Sequence, residues 1–294
     1  MFAYKRIFLR FFLIIVFMFS MNAYCIDVHA FRDACRSVKL APEFHFDEQF
    51  IEYFNNKNDD FEKRYFLNNS VFLEAAFFSI NNRSFFFGNV TTNFGMGRQG
   101  GAILLDPRDI DMAFGPMYEY RTPAITCRAG LDHHCFHQID NVEWNTLYWN
   151  KLYIEAGSND LRKNSYRERL SRSKTGWQQR LSWQIGYGYF VHDFFGIMDT
   201  SALSWGNAYI HETSGALDFA FLRTNALAVY AGIKNRARID KRGAWLWTEE
   251  MSCEAMTLKG AFGMSAFVNW VIVDQSIIRE NKDKLVEVGV SVFR

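Results

Sequence analysis

From residue 69 onwards the chain alternates apolar with small or polar residues at a period of two. VFLEAAFFSI (71–80) and SFFFGNVTTNF (84–94) flank Asn81, Asn82 and Arg83, a hairpin signal. In IDMAFGPMYEY (110–120) one parity carries Ile110, Met112, Phe114, Pro116, Tyr118 and Tyr120. The other carries Asp111, Ala113, Gly115, Met117 and Glu119. SWQIGYGYFVH (182–192) and GAFGMSAFVNWVIV (260–273) repeat the pattern. Near the C-terminus Val286, Val288, Val290 and Val292 share one face, and Leu285, Glu287, Gly289, Ser291 and Phe293 the other.

Segments of about ten residues with one apolar face and one small or polar face fit tilted strands of a transmembrane β-barrel. A soluble sandwich would expose a charged second face, and here that face is rich in Gly, Ser and Ala. The pattern therefore predicts an all-β chain, a transmembrane antiparallel barrel of about twelve strands. They are expected near 70–80, 84–94, 110–120, 124–136, 144–158, 182–192, 201–210, 215–222, 225–233, 244–257, 261–273 and 284–294. Residues 69–294 form the barrel, and 26–68 a short periplasmic arm, helical around FDEQFIEYF or irregular.

Composition adds the compartment. Lys5, Arg6 and Arg10 precede FFLIIVFMF (11–19), an apolar run too short for a membrane helix, so 1–25 is expected to be a secretory signal peptide. Aromatic residues make up 17% of the chain, with 30 Phe, 13 Tyr and 8 Trp, and no later apolar run reaches the length of a membrane helix. That much apolar surface needs either a large core or a lipid face. The net charge of +1 carries no nucleic-acid signature, and no cofactor motif is present; GMGRQGG lacks the lysine and serine of a phosphate loop.

The signal peptide, the even strand spacing and a last strand ending in Phe293-Arg294 resemble those of bacterial outer-membrane β-barrel proteins. Such proteins commonly end in an aromatic residue, and here Arg294 follows it. The resemblance covers most of the mature chain and is architectural. It implies location in the bacterial outer membrane, contact with outer-membrane lipid and lipopolysaccharide, delivery by the outer-membrane assembly machinery, and a porin-like or surface role. It also implies that the last strand ends in the periplasm. Counting back, 274–283, 234–243, 211–214, 159–181 and 121–123 become extracellular, and 258–260, 223–225, 193–200 and 137–143 periplasmic. The segment 95–109 is too long for the periplasmic side on which it then falls. Two basic stretches, 159–180 and 234–242, land together outside, where phosphorylated lipid would attract them.

LDHHCFHQIDN (131–141) holds three of the seven histidines. Alternation puts Arg128, Asp132 and His134 inward, with Glu119 of the preceding strand in reach of Arg128, as a luminal charge network. His133 and Cys135 then face lipid. Three sharper readings stand beside this one. His133, His137 and Asp140 have the spacing of metal ligands on a helix, a geometry that a strand denies. His133-His134-Cys135 resembles the His-x-Ser of the lipid A deacylases, with Cys135 in the serine's place. The resemblance implies His133 as base, Cys135 as nucleophile and Glu143 as the orienting acid of a lipid-modifying acyl hydrolase. Finally, Cys35, Cys127, Cys135 and Cys253 are even in number, and Cys35 with Cys135 is the favoured disulfide.

Overall fold

The computed structural model describes residues 38–40, 44–54, 64–99, 102–139, 147–158, 180–191, 209–224, 227–259, 262–275 and 282–294. They form one antiparallel sheet of thirteen strands. These are β1 (Val38–Leu40), β2 (Phe44–Phe54), β3 (Leu67–Ile80), β4 (Ser84–Gln99), β5 (Ala102–Arg121), β6 (Ile125–Gln138) and β7 (Leu147–Ser158). After them come β8 (Leu181–Val191), β9 (Tyr209–Arg223), β10 (Leu227–Asp240), β11 (Trp245–Lys259), β12 (Phe262–Asp274) and β13 (Val286–Phe293). Each of β3 to β13 pairs with its neighbour in sequence, and β2 bridges β13 and β3, with Phe50 opposite both Val290 and Asn69. The twelve strands β2 to β13 thus close on themselves, and β1 continues the line of β2 along the end of β3.

Closure pairs both edges of each of β2 to β13, which hydrocarbon demands. The outward surface is the apolar parity of the sequence. Ile154, Ile185, Leu217, Met264, Val268, Val288 and Val290 are all exposed, as they must be to meet lipid. On β13 the valines are half-buried or exposed, while Glu287, Gly289, Ser291 and Phe293 are buried inside. This is the architecture of a bacterial outer-membrane protein. The unheated protein is expected to migrate as a compact band in detergent gels and to shift on boiling; recovery as a water-soluble monomer without detergent would contradict the lipid belt.

FHFDEQFIEYF corrects the expected arm. Its pattern of carboxylates and aromatics mimics a helix, yet Ile51 and Tyr53 alternate inward and Phe44, Phe50 and Phe54 outward. It is a wall strand. The turn expected at 211–214 is a second correction, because 209–223 is one strand. A register shift at Ile239/Asp240 turns Tyr209 inward out of phase and breaks the alternation there. The turn-like Thr213, Ser214 and Gly215 are ladder residues opposite Tyr187, Gly186 and Ile185. The two errors cancel in the count and not in the wiring. Everything before β9 changes ends.

The connections β3–β4, β5–β6, β9–β10 and β11–β12 are short and share the end of Phe293. Short turns are periplasmic in such barrels. The last residues of β6, with 131–139, therefore lie toward the extracellular end, and β7 ends and β8 begins at the periplasmic end. Of the two basic stretches, the first lies outside the described residues apart from Arg180. Most of the second is not loop at all, since β10 runs to Asp240 and only 241–244 turn. The awkward segment 95–109 resolves as well. β4 and β5 extend into a long hairpin at the extracellular end, with Gly95 opposite Asp109 and Arg98 opposite Leu105.

Candidate functional site

The chemistry-bearing side chains fall into an interior network and an exterior pair, both built on β6. The interior comes first. Arg128 donates from Nε to Glu119 Oε2 at 2.6 Å, and Arg121 donates to the other oxygen of Glu119 at 2.5 Å. Arg128 Nη2 lies 3.8 Å from Glu74 on β3, an ion pair beyond hydrogen-bond distance. Glu155 is the cross-strand partner of Arg128 on β7. Glu74 and Glu119 are each only 1% exposed. Burial at that depth is tolerable for carboxylates because the arginines neutralise them.

Asp132 and His134 belong to a second knot, apart from Arg128. Asp132 lies 3.7 Å from Lys151 Nζ and 3.8 Å from His134, and accepts from Asn89 at 3.5 Å. Lys151 reaches across β8 to donate to Glu212 on β9 at 3.2 Å. Gly188 makes that reach possible: a Cβ there would lie 2.9 Å from the lysine's Cδ. Glu212 also takes Arg238 at 2.8 Å and Arg236 at 3.6 Å. His134 stacks on Trp149 with centroids 4.9 Å apart.

Aromatic clusters flank these knots. Phe136, Trp149, Phe190 and Tyr209 pack toward the extracellular end, and Phe85, Phe87, Met117 and Tyr153 toward the periplasmic one. This half of the interior is therefore filled. Beside β10 it is less tightly packed. Lys234 and Arg236 have the inward parity of buried Tyr230 and half-buried Arg238, yet their side chains are 57% and 49% exposed. Their exposure shows that the interior there is not filled by side chains.

The exterior pair is His133 and Asn150. His133 Nδ1 and Asn150 Oδ1 are 2.9 Å apart across the β6–β7 ladder, where the two residues are direct partners. The Phe114 ring meets His133 edge-on at 5.0 Å, and Tyr148 stacks at 6.0 Å. Cys135 shares the outward parity of His133 two residues further on, opposite Tyr148 and Met112. β5 and β6 pinch together just below: a Cβ on Gly115 would lie 1.6 Å from the Leu131 carbonyl oxygen. Only glycine fits, and the close approach fixes the height of His133 against Phe114.

Glu143 and Asp140 lie outside the described residues, as does Cys35. The side chain that hydrogen-bonds to His133 is Asn150. It was legible as the one polar side chain in the outward parity Tyr148, Asn150, Leu152, Ile154. His133 and His137 occupy one extended strand, four residues apart, and no group of three metal ligands occurs among the described residues. Cys127, Cys135 and Cys253 are free thiols.

No protein-family model and no curated protein matches the chain. Among solved structures it is similar to an outer-membrane channel from Pseudomonas putida F1, at 9% identity and a TM-score of 0.52, over 88% of this chain and 97% of that one. It is similar to outer membrane phospholipase A from Escherichia coli at 11% identity and a TM-score of 0.49, over 87% and 98%. The KdgM porin aligns at 9% identity and a TM-score of 0.45, over 85% and 97%. At such identities the likeness speaks for the fold alone, and that fold is the bacterial outer-membrane β-barrel.

Proposed function

We propose that the chain is a narrow outer-membrane channel whose conducting path runs beside β10. The observation that carries this is the solvation of Lys234 and Arg236 on the inward face. The ion knots and aromatic clusters on β3 to β9 restrict the path to small solutes and leave no room for a wide pore. In planar bilayers the protein is expected to give small, steady conductance steps. Lys234→Glu and Arg236→Glu, each reversing a solvated charge on the path, are expected to shift the reversal potential in a salt gradient toward cations. Lys234 pairs with Glu250 at 3.2 Å and Arg236 with Glu212 at 3.6 Å, so each reversal also sets a carboxylate against a carboxylate and is expected to lower the urea midpoint as well. Absence of conductance in the folded wild-type protein would refute the channel.

A second reading is a lipid acyl hydrolase on the outer surface. It is favoured by the His133–Asn150 hydrogen bond beside Cys135. The wiring of the barrel supports it too, since it brings this face of β6 to the extracellular end, level with the leaflet that such an enzyme would attack.

A further inference from the structure

We propose that Cys135, His133 and Asn150 form a thiol-dependent acyl-transfer site for the acyl esters of outer-leaflet lipids, with Asn150 as the positioning residue. This rests on the hydrolase reading and adds its third residue and its substrate class.

A histidine and an asparagine on a lipid-facing wall are costly unless they satisfy each other and stand near the interface. Here both conditions hold. Asn150 is buried and takes the Nδ1 side of His133. The ring is therefore held in the tautomer with Nδ1–H donating to Oδ1, and the Nε2 lone pair is left for a proton. Phe114 and Tyr148 grip the ring from two sides, so its plane is fixed before any substrate arrives. Cys135 stands one same-face step along the strand, about 6.8 Å between Cα atoms, and is buried, so a lipid ester reaches its Sγ only when the neighbouring side chains part. Rotation of the Cys135 side chain toward the fixed imidazole closes that distance, as catalytic contacts commonly do on substrate binding. The carbonyl esters of a lipid leaflet lie at the boundary between hydrocarbon and headgroups. A site on the outside of the wall, near the extracellular end of β6, meets them without extracting the lipid.

The step balances without any co-reactant but water. His133 Nε2 accepts the thiol proton as Sγ bonds to the ester carbonyl carbon. The carbon–oxygen ester bond breaks, and the leaving alcohol oxygen takes the proton from His133. A thioester on Cys135 and a lysolipid result. Water then gives a proton to Nε2 while its oxygen attacks the thioester carbon, and the carbon–sulfur bond breaks. The proton returns to Sγ, releasing the fatty acid. Asn150 touches none of the reacting atoms and acts through His133.

The test uses the full chain in vesicles, phosphatidylethanolamine in one arm and lipid A in a phospholipase-resistant ether-lipid background in the other. Mass spectrometry follows fatty-acid release and an acyl group on Cys135. Iodoacetamide measures thiol reactivity, with Cys127 and Cys253 as internal references. The wild type is expected to release fatty acid from at least one lipid and to alkylate Cys135 on a pH profile that rises with deprotonation of an imidazole. Cys135→Ala and His133→Gln should lower release by about 10²-fold or more. Asn150→Ala should lower kcat by about tenfold with KM unchanged, and displace the pH profile of alkylation, which a merely structural role would not move. Asn150→Asp keeps the acceptor and should restore most of the rate; it serves also if the alanine variant fails to fold. Imidazole-dependent alkylation without release from either lipid overturns the substrate class and leaves the hydrolase reading standing. No release, with alkylation identical in His133→Gln, overturns both.

Discussion

Arg128→Leu is expected to cost the barrel about 3–5 kcal/mol, because breaking a buried ion pair leaves its partner uncompensated. Glu119 would keep Arg121 alone, and Glu74 and Glu155 would face a leucine where a guanidinium stood. The loss should appear as a lower urea midpoint and a lower temperature of heat modification in detergent. Two comparisons make the result specific. Asp132→Leu should cost less, since Lys151 retains Glu212 at 3.2 Å. Leu131→Val, on the opposite parity of the same strand, should be nearly silent. Removing both partners in Arg128→Leu/Glu119→Leu should recover only the share of the loss that belongs to Glu119, because Glu74 and Glu155 still face an apolar side chain. Equal midpoints for Arg128→Leu and Leu131→Val would show that the knot contributes nothing to stability.

The lipid-facing parity was readable because a membrane makes it simple. Hydrocarbon accepts apolar side chains and little else, so Val286 to Val292 and Ile110 to Tyr120 declare their face without any knowledge of neighbours. The pairing of Glu119 with Arg128 follows from the same alternation once β5 and β6 are adjacent. What alternation does not carry is a bulge. One residue of slip at Ile239/Asp240 put Tyr209 inside, and the small residues at 213–215 then passed for a turn. Their size has another cause: a Cβ on Gly186 would lie 2.6 Å from Ser214 Oγ, so this part of the wall is crowded. Phe44–Phe54 was illegible for a different reason. Its outward Glu48 and Glu52 break the apolar face, and Glu48 is held by Asn69 of the neighbouring strand, a long-range contact with no local sign.

Parity explains why a small misreading had a large consequence. In an up-and-down barrel each strand reverses the end at which the next turn falls. Splitting one strand in two therefore moved LDHHCFHQIDN from the extracellular to the periplasmic end, while leaving every side chain of β6 on its correct face. Face is a local property of the strand; height and end are properties of the whole chain. Asn150 belongs to the second kind, because its partnership with His133 depends on the β6–β7 register, which pairs residues seventeen apart in sequence.

Glu212→Gln is expected to change stability and conduction together. One buried carboxylate holds Lys151 from β7 and both Arg236 and Arg238 from β10, so it ties three strands across the interior. Without its charge Lys151 falls back on Asp132 at 3.7 Å, and Arg238 on Tyr209, whose ring lies 4.9 Å away. Arg236 is half in water and loses little. The expected cost is therefore at the lower end for a broken buried pair, about 3 kcal/mol. The lumen meanwhile gains a net positive charge beside its solvated wall, and the reversal potential should move toward anions. Arg236→Gln should do the reverse, moving selectivity toward cations at little cost in stability, because a half-exposed charge is screened and Glu212 keeps Lys151 and Arg238. A urea titration and a bilayer recording on the same two variants would thus separate the charge that supports the wall from the charge that faces the path. If Glu212→Gln left the reversal potential unchanged while the protein conducted, the path would have to lie away from β9 and β10.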